Sequence, residues 1–448
     1  MSRRKAALPY LYIMNETFDT VFAPSTAIGG AIAIIRVSGE QTREIAEKLL
    51  DRPVADRPNR MRHVHILHRG IVIDDCMAVF FKSPKSYTGE DMLELHCHGG
   101  MMTVRAVLAA LSEAGGVPAG PGEFTKRAFL NGRMDLMEAE AVMDVINAQA
   151  EGSLRSALEQ LSGSVSRRVR DVEERLLDAR SAIEAAIDYP DEAEESAYAS
   201  LPSALAAAKT ALTDMIEEGR RGRALRDGLK TVILGRPNVG KSSLLNALLG
   251  EDRAIVTAAA GTTRDVLDER LSVGGVPVRL IDTAGLREAS DEAERIGVDR
   301  AKKTLLTADA VLLVLDGSEG LTAEDENLLR ETAGKTRIVI ANKCDLGTRI
   351  KDALPVSCKT GEGIDELLKR IAAIAEPAAQ STAAITNERH IRALEIALDA
   401  VIHAAQQTEP DCIATDLTEA LHALGTVTGT DVDAEVVDRI FKNFCVGK

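Results

Sequence analysis

Gly235-Arg236-Pro237-Asn238-Val239-Gly240-Lys241-Ser242 stands between the apolar run 230–234 and a helical stretch at 243–249. The G-x-x-x-x-G-K-S spacing in that context leaves few alternatives. A strand ends at the first glycine, and backbone N–H groups wrap phosphates at the N-terminus of the next helix. In that arrangement Lys241 reaches the β- and γ-phosphates and the Ser242 hydroxyl binds Mg²⁺, with Val239, Gly240 and Ser243 completing the cradle. The plain alternative is a glycine-rich turn before a helix.

Further motifs narrow the ligand. Asp282-Thr283-Ala284-Gly285 follows the strand pattern 276–281, which brings Asp282 near the metal and the Gly285 N–H near the γ-phosphate. Gly261-Thr262-Thr263 lies between the two motifs, where Thr263 completes the metal shell. Asn342-Lys343-Cys344-Asp345 ends the strand pattern 337–341, and Ser357-Cys358-Lys359 occupies the position of a last base-binding loop. The Asp345 carboxylate accepts hydrogen bonds from guanine N1–H and its 2-amino group. Adenine offers neither donor and leaves the carboxylate desolvated and unpaired. Four motifs in this order imply a GTP-hydrolysing domain rather than an ATPase. The residue after Gly285 is Leu286, which cannot orient water as a glutamine does there in many GTPases. Asn238 carries an amide oxygen beside the phosphates and reads either as a monovalent-cation ligand, with K⁺ standing in for an arginine finger, or as a structural loop residue.

At 448 residues the chain has room for roughly three domains of about 150 residues. Its 54 Lys and Arg against 69 Asp and Glu give a net charge of −15, which excludes a generic polyanion binder. Nucleic-acid contact then needs a local basic patch, such as Arg220-Arg221-Gly222-Arg223-Ala224-Leu225-Arg226, or a partner protein. That cluster reads equally as a solvated helix end. Six cysteines without a C-x-x-C pair point to reduced thiols and a cytoplasmic protein. No run reaches the roughly 18 apolar residues of a membrane span. Residues 1–19 read as an extension ahead of a start near Met14.

Three textures follow one another. Strands are expected at 31–37 and 71–81, helices at 41–50 and 101–114, and a loop at 82–89. From 134 the pattern is helical. Val165, Val169, Val172, Leu176, Ala179, Ile183 and Ile187 form one stripe, ended by Asp188-Tyr189-Pro190, and a second helix is expected at about 201–219. Strands and helices then alternate (230–234, 276–281, 310–315, 337–341), which predicts a parallel sheet covered on both faces. An alanine-rich linker is expected at 375–384. Helical stripes resume with Ile391, Leu394, Leu398, Val401 and Ala405, then Ile413, Leu417, Leu421 and Leu424. Helices on both sides of the α/β segment predict its insertion into one helical domain, although two separate bundles give the same pattern.

Gly261-Thr262-Thr263-Arg264-Asp265 and Asp282-Thr283-Ala284-Gly285-Leu286-Arg287-Glu288, together with the phosphate loop, resemble the TrmE–Era–EngA branch of GTPases. The tail Phe444-Cys445-Val446-Gly447-Lys448 and the segments Arg36-Val37-Ser38-Gly39, Tyr87-Thr88-Gly89-Glu90-Asp91 and 121–132 look like the MnmE (TrmE) family within it. The resemblance covers nearly everything after residue 20. It implies an α/β plus α protein: an α+β folate-binding-like dimerisation domain at 20–130, a helical domain at 131–226 and 379–448, and an inserted Ras-like P-loop GTPase domain with a mostly parallel sheet at 227–378. It also implies a K⁺-dependent GTPase that dimerises and joins an MnmG-type FAD protein in a heterotetramer. That assembly modifies carbon 5 of the tRNA wobble uridine with a tetrahydrofolate one-carbon donor, 5,10-methylene- or 5-formyl-tetrahydrofolate.

The family's K⁺ ligands fall on Asn238, Thr257, Ala259 and Thr262, with Ala258 and Ala260 in the same GTP-contacting loop. Its water-orienting glutamate falls on Glu294, with Arg287 in the same switch. Family folate positions fall on Arg36, Glu94, Arg133 and Lys448. Arginine and lysine suit the glutamate tail, and Glu94 suits the pterin donors. Arg133 replaces a lysine of some relatives, and Ala27-Ile28-Gly29-Gly30 lacks an arginine common there. Cys445 reads as an idle thiol or, by the resemblance, as an acid/base or nucleophile near the folate. His96-Cys97-His98 invites a zinc reading, but strand alternation sends the two histidines to one face and the cysteine to the other, a poor ligand set. A ribosome-assembly switch of the Era/EngA type is the rival function. The chain argues against it by ending in helices and a C-x-G-K tail rather than a KH-like domain.

Overall fold

The computed structural model describes residues 19–250, 268–282, 304–379 and 385–448. They form two compact units: Met1–Met143 with Ser166–Glu194 and Thr408–Lys448, and Asp144–Val165 with Glu195–Gln407.

The first unit opens with β1 (Val21–Pro24), β2 (Ile32–Ser38), α1 (Thr42–Leu49), β3 (Arg62–His68), β4 (Ile71–Phe81), β5 (Met92–His98), α2 (Met101–Glu113), β6 (Val117–Pro118) and α3 (Glu123–Leu130). The six strands make one sheet in the order β3-β4-β5-β2-β1-β6, antiparallel except where β6 runs parallel to β1. Alternation decides its faces. Ala33, Ile35 and Val37 of β2, Cys76, Ala78 and Phe80 of β4, and Leu93, Leu95 and Cys97 of β5 pack in one core with Ile45 and Leu49 of α1 and Val104, Val107 and Leu111 of α2. Arg36, Glu94 and His96 therefore stand on the opposite face.

Four helices follow: α4 (Leu136–Asn147), α5 (Glu151–Leu161), α6 (Ser164–Asp188) and α7 (Pro190–Asp227). The α6 stripe is buried from Val165 to Ile183, but Ile187 is 38% exposed and Ala186 takes the core position. Spacings alternating four and three from Val165 lead to 186, so extending the stripe to 187 overshot by one residue. The break at Pro190 is present, but it is one residue wide. Proline opens α7 at its first position, where its missing N–H costs nothing, and α7 covers far more than the expected 201–219.

The α/β segment contains β7 (Leu229–Leu234), α8 (Lys241–Leu249), β8 (Asp268–Val273), β9 (Val276–Asp282), β10 (Ala310–Asp316), α9 (Ala323–Glu331), β11 (Arg337–Asn342), β12 (Leu354–Pro355) and α10 (Ile364–Ala379). The sheet order is β12-β11-β10-β7-β9-β8, parallel except for the β8–β9 hairpin. All seven residues of β10 are buried, as a central strand covered on both faces requires. Leu312 and Val314 join one core with Leu244 and Leu248 of α8, while Val311, Leu313 and Leu315 join the other with Val232 and Leu234. The expected strands are all present; β8 and β12 are additional. β8 is a charged edge strand whose hairpin turns on Gly274 and Gly275, both at positive φ (+59° and +81°), the conformation tight hairpins demand. The expected linker at 375–384 is corrected over its first half. α10 continues to Ala379 because Ala375 is buried in the sheet core, and residues 380–384 lie outside the described set.

The chain ends in α11 (Glu388–Ala404), α12 (Pro410–Thr428) and α13 (Ala434–Phe441). Leu394 and Val401 are buried, whereas Ala405 is exposed just past the end of α11. Helical segments before and after the α/β segment bond to each other. Gln160 Nε2 donates to Thr386 Oγ1 at 3.0 Å, and Arg220 pairs with Glu395 at 2.6 Å. Thr428 Oγ1 likewise donates to Glu173 Oε1 at 3.3 Å. Each bond lies within one of the two compact units, so in both units helices from before the α/β segment bond to helices from after it.

Candidate functional site

The turn from β7 to α8 is held by close approaches that exclude side chains. A Cβ on Gly235 meets the Val314 carbonyl oxygen at 2.3 Å, and one on Gly240 meets Asn342 Nδ2 at 2.3 Å. Gly240 has φ +97° and Asn238 φ +65°. Asparagine tolerates that left-handed conformation better than most residues, so the backbone alone accounts for its presence at 238. Lys241 Nζ donates to the carbonyls of Gly235 (3.0 Å) and Arg236 (2.7 Å), which keeps its charge inside the loop. Arg236 Nε donates to Asp325 Oδ1 at 2.8 Å, and Asp325 also closes the capping box of α9 with Thr322.

The base-binding side is joined to this loop by one side chain. Asn342, buried at the end of β11, donates Nδ2 to the Val239 carbonyl at 2.8 Å and accepts from the Cys358 N–H at 3.3 Å. Ser357 Oγ donates to Asp345 Oδ1 at 2.7 Å, which fixes the carboxylate and leaves its second oxygen available. Lys343, at φ +64°, pairs through Nζ with Asp316 Oδ2 at 2.6 Å. Burial alone pushes the Asp316 carboxyl up, but hydrogen bonds from Lys343 and Ser318 hold it below the usual carboxylate range. Burial pushes the Cys358 thiol up to about 11, so it is neutral. Lys359 is exposed.

β9 carries Asp282 to the site, its backbone opposite Ile233 of β7. The Asp282 side chain lies outside the described residues. So do Thr257, Ala258, Ala259, Ala260, Gly261, Thr262 and Thr263, and Thr283, Ala284, Gly285, Leu286, Arg287 and Glu294.

A second pocket, about 420 Å³, opens on the polar face of the N-terminal sheet and is lined by Arg36, Glu94 and Arg133, with Lys85, Tyr87 and Met92. Arg36 donates Nε (3.0 Å) and Nη2 (2.8 Å) to the same Glu94 oxygen, Oε1, and its guanidinium lies 5.1 Å from the Tyr87 ring and 5.5 Å from the Phe124 ring. Burial raises the Tyr87 hydroxyl pKa, and its bond with Thr125 Oγ1 at 2.8 Å fixes the ring. Glu94 Oε2 faces His96 Nε2 at 3.8 Å, a buried nitrogen without a hydrogen-bond partner. Arg133 Nε donates to the Ser86 carbonyl at 3.1 Å. Arg36 and Glu94 are thus each other's partners, not two isolated charges.

Lys448 does not line that pocket. The tail crosses beside it: Val446 bridges to Pro121, the Phe124 N–H donates to the Lys448 carbonyl at 3.2 Å, and Ser25 Oγ donates to the Gly447 carbonyl at 3.1 Å. Phe441 and Phe444 anchor the tail against Phe129, Leu136 and Ala139. Cys445 is exposed, with its carbonyl accepting from the Gly122 N–H.

Two family models match the chain: the MnmE helical domain over residues 136–445 and the GTP-binding protein TrmE N-terminus over residues 20–133. The tRNA modification GTPase MnmE of Heliobacterium modesticaldum is 43% identical, covering 96% of this chain and 99% of the relative. This chain belongs to the MnmE family. The MnmE of Lactiplantibacillus plantarum is 41% identical over 96% of this chain and 99% of the relative. Among solved structures, the G domain of the T. maritima FeoB iron transporter is similar over 33% of this chain and 98% of that chain, at 29% identity and TM-score 0.26.

As an MnmE-family member the chain is a GTP hydrolase of the tRNA modification class. Among the described residues no helix is long and apolar enough to cross a membrane. Three arginines of the basic cluster are ion-paired, Arg220 with Glu395, Arg223 with Asp309 and Arg226 with Asp144, which favours the solvated helix end. Sequence reasoning missed Lys85 and Tyr87 as pocket-lining residues. The period-two pattern that places His96 beside Glu94 was the available signal for that face.

Proposed function

We propose that this chain is a K⁺-activated GTPase that works with an MnmG-type FAD protein on carbon 5 of the tRNA wobble uridine, with a tetrahydrofolate derivative as one-carbon donor. The observation that carries the reading is the presence of two chemically distinct sites in one chain. One is the glycine loop before α8, tied through Asn342 to the segment in which Ser357 fixes the Asp345 carboxylate. The other is a pocket with an arginine–glutamate pair on an aromatic floor.

In this reading Asn238 to Ser243 hold the phosphates, Asp345 selects guanine, and Asn342, Lys343, Ser357, Cys358 and Lys359 shape the base pocket. Ser242 and Thr263 hold Mg²⁺; Asn238, Thr257, Ala259 and Thr262 hold K⁺. The two cations, when bound, neutralise charge on the transferring phosphoryl group. Glu294 orients water in place of the glutamine replaced by Leu286, and Arg287 shares its loop. The Asn238 side chain is exposed on a left-handed turn at the loop, a placement that suits a cation ligand.

The N-terminal pocket fits a folate chemically. Arg36 is stacked and oriented, Glu94 keeps one oxygen for pterin donors, and the unpartnered His96 Nε2 offers a further polar contact. In this reading Arg133 takes the anionic tail within the pocket, Lys448 meets it from the adjoining C-terminal tail, and Cys445 handles a proton or the one-carbon unit. Exposed Ile32 and Ile28 in the N-terminal unit support its role in a homodimer.

Mass spectrometry of wobble uridines from cells lacking this chain tests the whole reading: loss of the carbon-5 substituent is expected, and normal uridines overturn it. Hydrolysis in KCl is expected to exceed that in NaCl; equal rates remove the cation assignment.

A further inference from the structure

The two core cysteines of the N-terminal sheet face each other across neighbouring strands. Met77 pairs with His96 in the β4–β5 register, so Cys76 stands opposite Cys97. Both are buried, at 5% and 1% exposure, and a third ligand-type side chain joins them: Asp74, 8% exposed. The ligand atoms of Asp74, Cys76 and Cys97 lie within 4.8 Å of one another. This is the helix-covered face, opposite Arg36 and Glu94, and none of the three has a part in the reading above.

Two buried cysteines alone would be ordinary packing. A carboxylate buried beside them is not, since an ionised group in a core needs a partner. Asp74 is held by His98, which donates its backbone N–H to Oδ2 at 3.0 Å and shares Nδ1 with Oδ1 at 2.7 Å. Carboxylates that ligate metals are themselves held by outer-sphere hydrogen bonds, as Asp74 is by His98. The His98 side chain is 70% exposed and so marks a route from solvent to Asp74.

We propose that Asp74, Cys76 and Cys97 bind one thiophilic divalent cation of the zinc type, tying β4 to β5. Tetrahedral zinc with sulfur at about 2.3 Å places two sulfurs about 3.7 Å apart, inside the 4.8 Å that encloses the three ligand atoms. Zinc takes cysteine as thiolate, so binding releases one proton from each thiol to solvent and forms two metal–sulfur bonds and one metal–carboxylate bond, with water in the fourth position.

The test uses the reduced full-length chain with Mg²⁺ and GDP. Cd²⁺ is added while the sulfur-to-cadmium charge-transfer absorption is followed, and Zn²⁺ is titrated against a chromophoric chelator. One equivalent of Cd²⁺ bound at micromolar concentration, with two protons released, is expected. Asp74→Asn is expected to weaken Zn²⁺ at least tenfold, and Cys97→Ala to abolish the band. A variant with Cys344, Cys358, Cys412 and Cys445 all changed to serine should keep it. Circular dichroism and thermal melting check that each variant is folded. A wild-type chain with no band, or a band undiminished in folded Cys97→Ala, overturns the proposal.

Discussion

The Asn342 side-chain amide donates to the Val239 carbonyl at 2.8 Å, so the end of β11, assigned above to the base, also holds the glycine loop proposed to bind the phosphates. The same side chain accepts from Cys358, and a Cβ on Gly240 would strike it at 2.3 Å. Three motifs far apart in sequence thus share one buried amide. Asn342→Ala leaves the Val239 carbonyl and the Cys358 N–H without these partners, a loss of about 1–3 kcal/mol. The expected result is a lower Tm and weaker GDP binding together, read by thermal melting and fluorescent-nucleotide titration. Weaker binding with an unchanged Tm would contradict the staple role.

In the proposed reading Asp345 is the specificity residue of that pocket. With one oxygen fixed by Ser357 Oγ at 2.7 Å, the other is free for guanine. Asp345→Asn presents a donor where guanine also donates, so GTP affinity should fall at least tenfold while xanthosine triphosphate gains relative to it. Competitive nucleotide titration checks this; unchanged GTP affinity would refute the assignment.

Much of this was legible because each motif carries its own local geometry. G-x-x-x-x-G-K-S fixes a strand, a turn and a helix, and the alternation of Ile35, Arg36 and Val37 fixes which side faces the core. What the sequence did not reveal came from tertiary packing. Ala375 is helical because it reaches the sheet core, although its neighbourhood is linker-like in composition. Pro190 starts a helix rather than a loop because its position is the first of α7. The pairing of Arg36 with Glu94 and of Cys76 with Cys97 depends on strand register, which no single segment encodes.

Glu173 of α6 supplies a pH prediction. Burial raises its carboxyl to about 7, against the weaker pull of the Thr428 hydroxyl and Arg170, with Asp135 adding to the rise. A folded-state pKa above the unfolded one means the folded chain holds this proton more tightly. Stability from this group is therefore full below the unfolded value near 4.5 and is lost as pH rises through about 7. Glu173→Gln removes the penalty of ionisation while keeping an acceptor for Thr428. It should stabilise the chain by about 1–3 kcal/mol at pH 8 and by less at pH 6. Denaturant unfolding at both values decides it, and an equal gain at both would locate the effect elsewhere than in titration.

The tail glycine is the sharpest steric constraint of the N-terminal unit. Gly447 has φ +94°, and a Cβ there would lie 2.0 Å from the Pro24 carbonyl oxygen, a backbone atom that cannot step aside. Gly447→Ala must therefore lift the tail from Ser25 and Phe124, withdrawing Lys448 from the residue whose ring lies against the Arg36 guanidinium. The residues proposed to bind GTP belong to the other compact unit, so GTP hydrolysis by the purified chain should stay within about twofold of wild type, below the 1.4 kcal/mol that a tenfold change represents. Binding of 5-formyl-tetrahydrofolate and wobble-uridine modification in cells should both fall at least tenfold. Folate binding that survives Gly447→Ala would separate the tail from the pocket and leave Arg36, Glu94 and Arg133 to act without it.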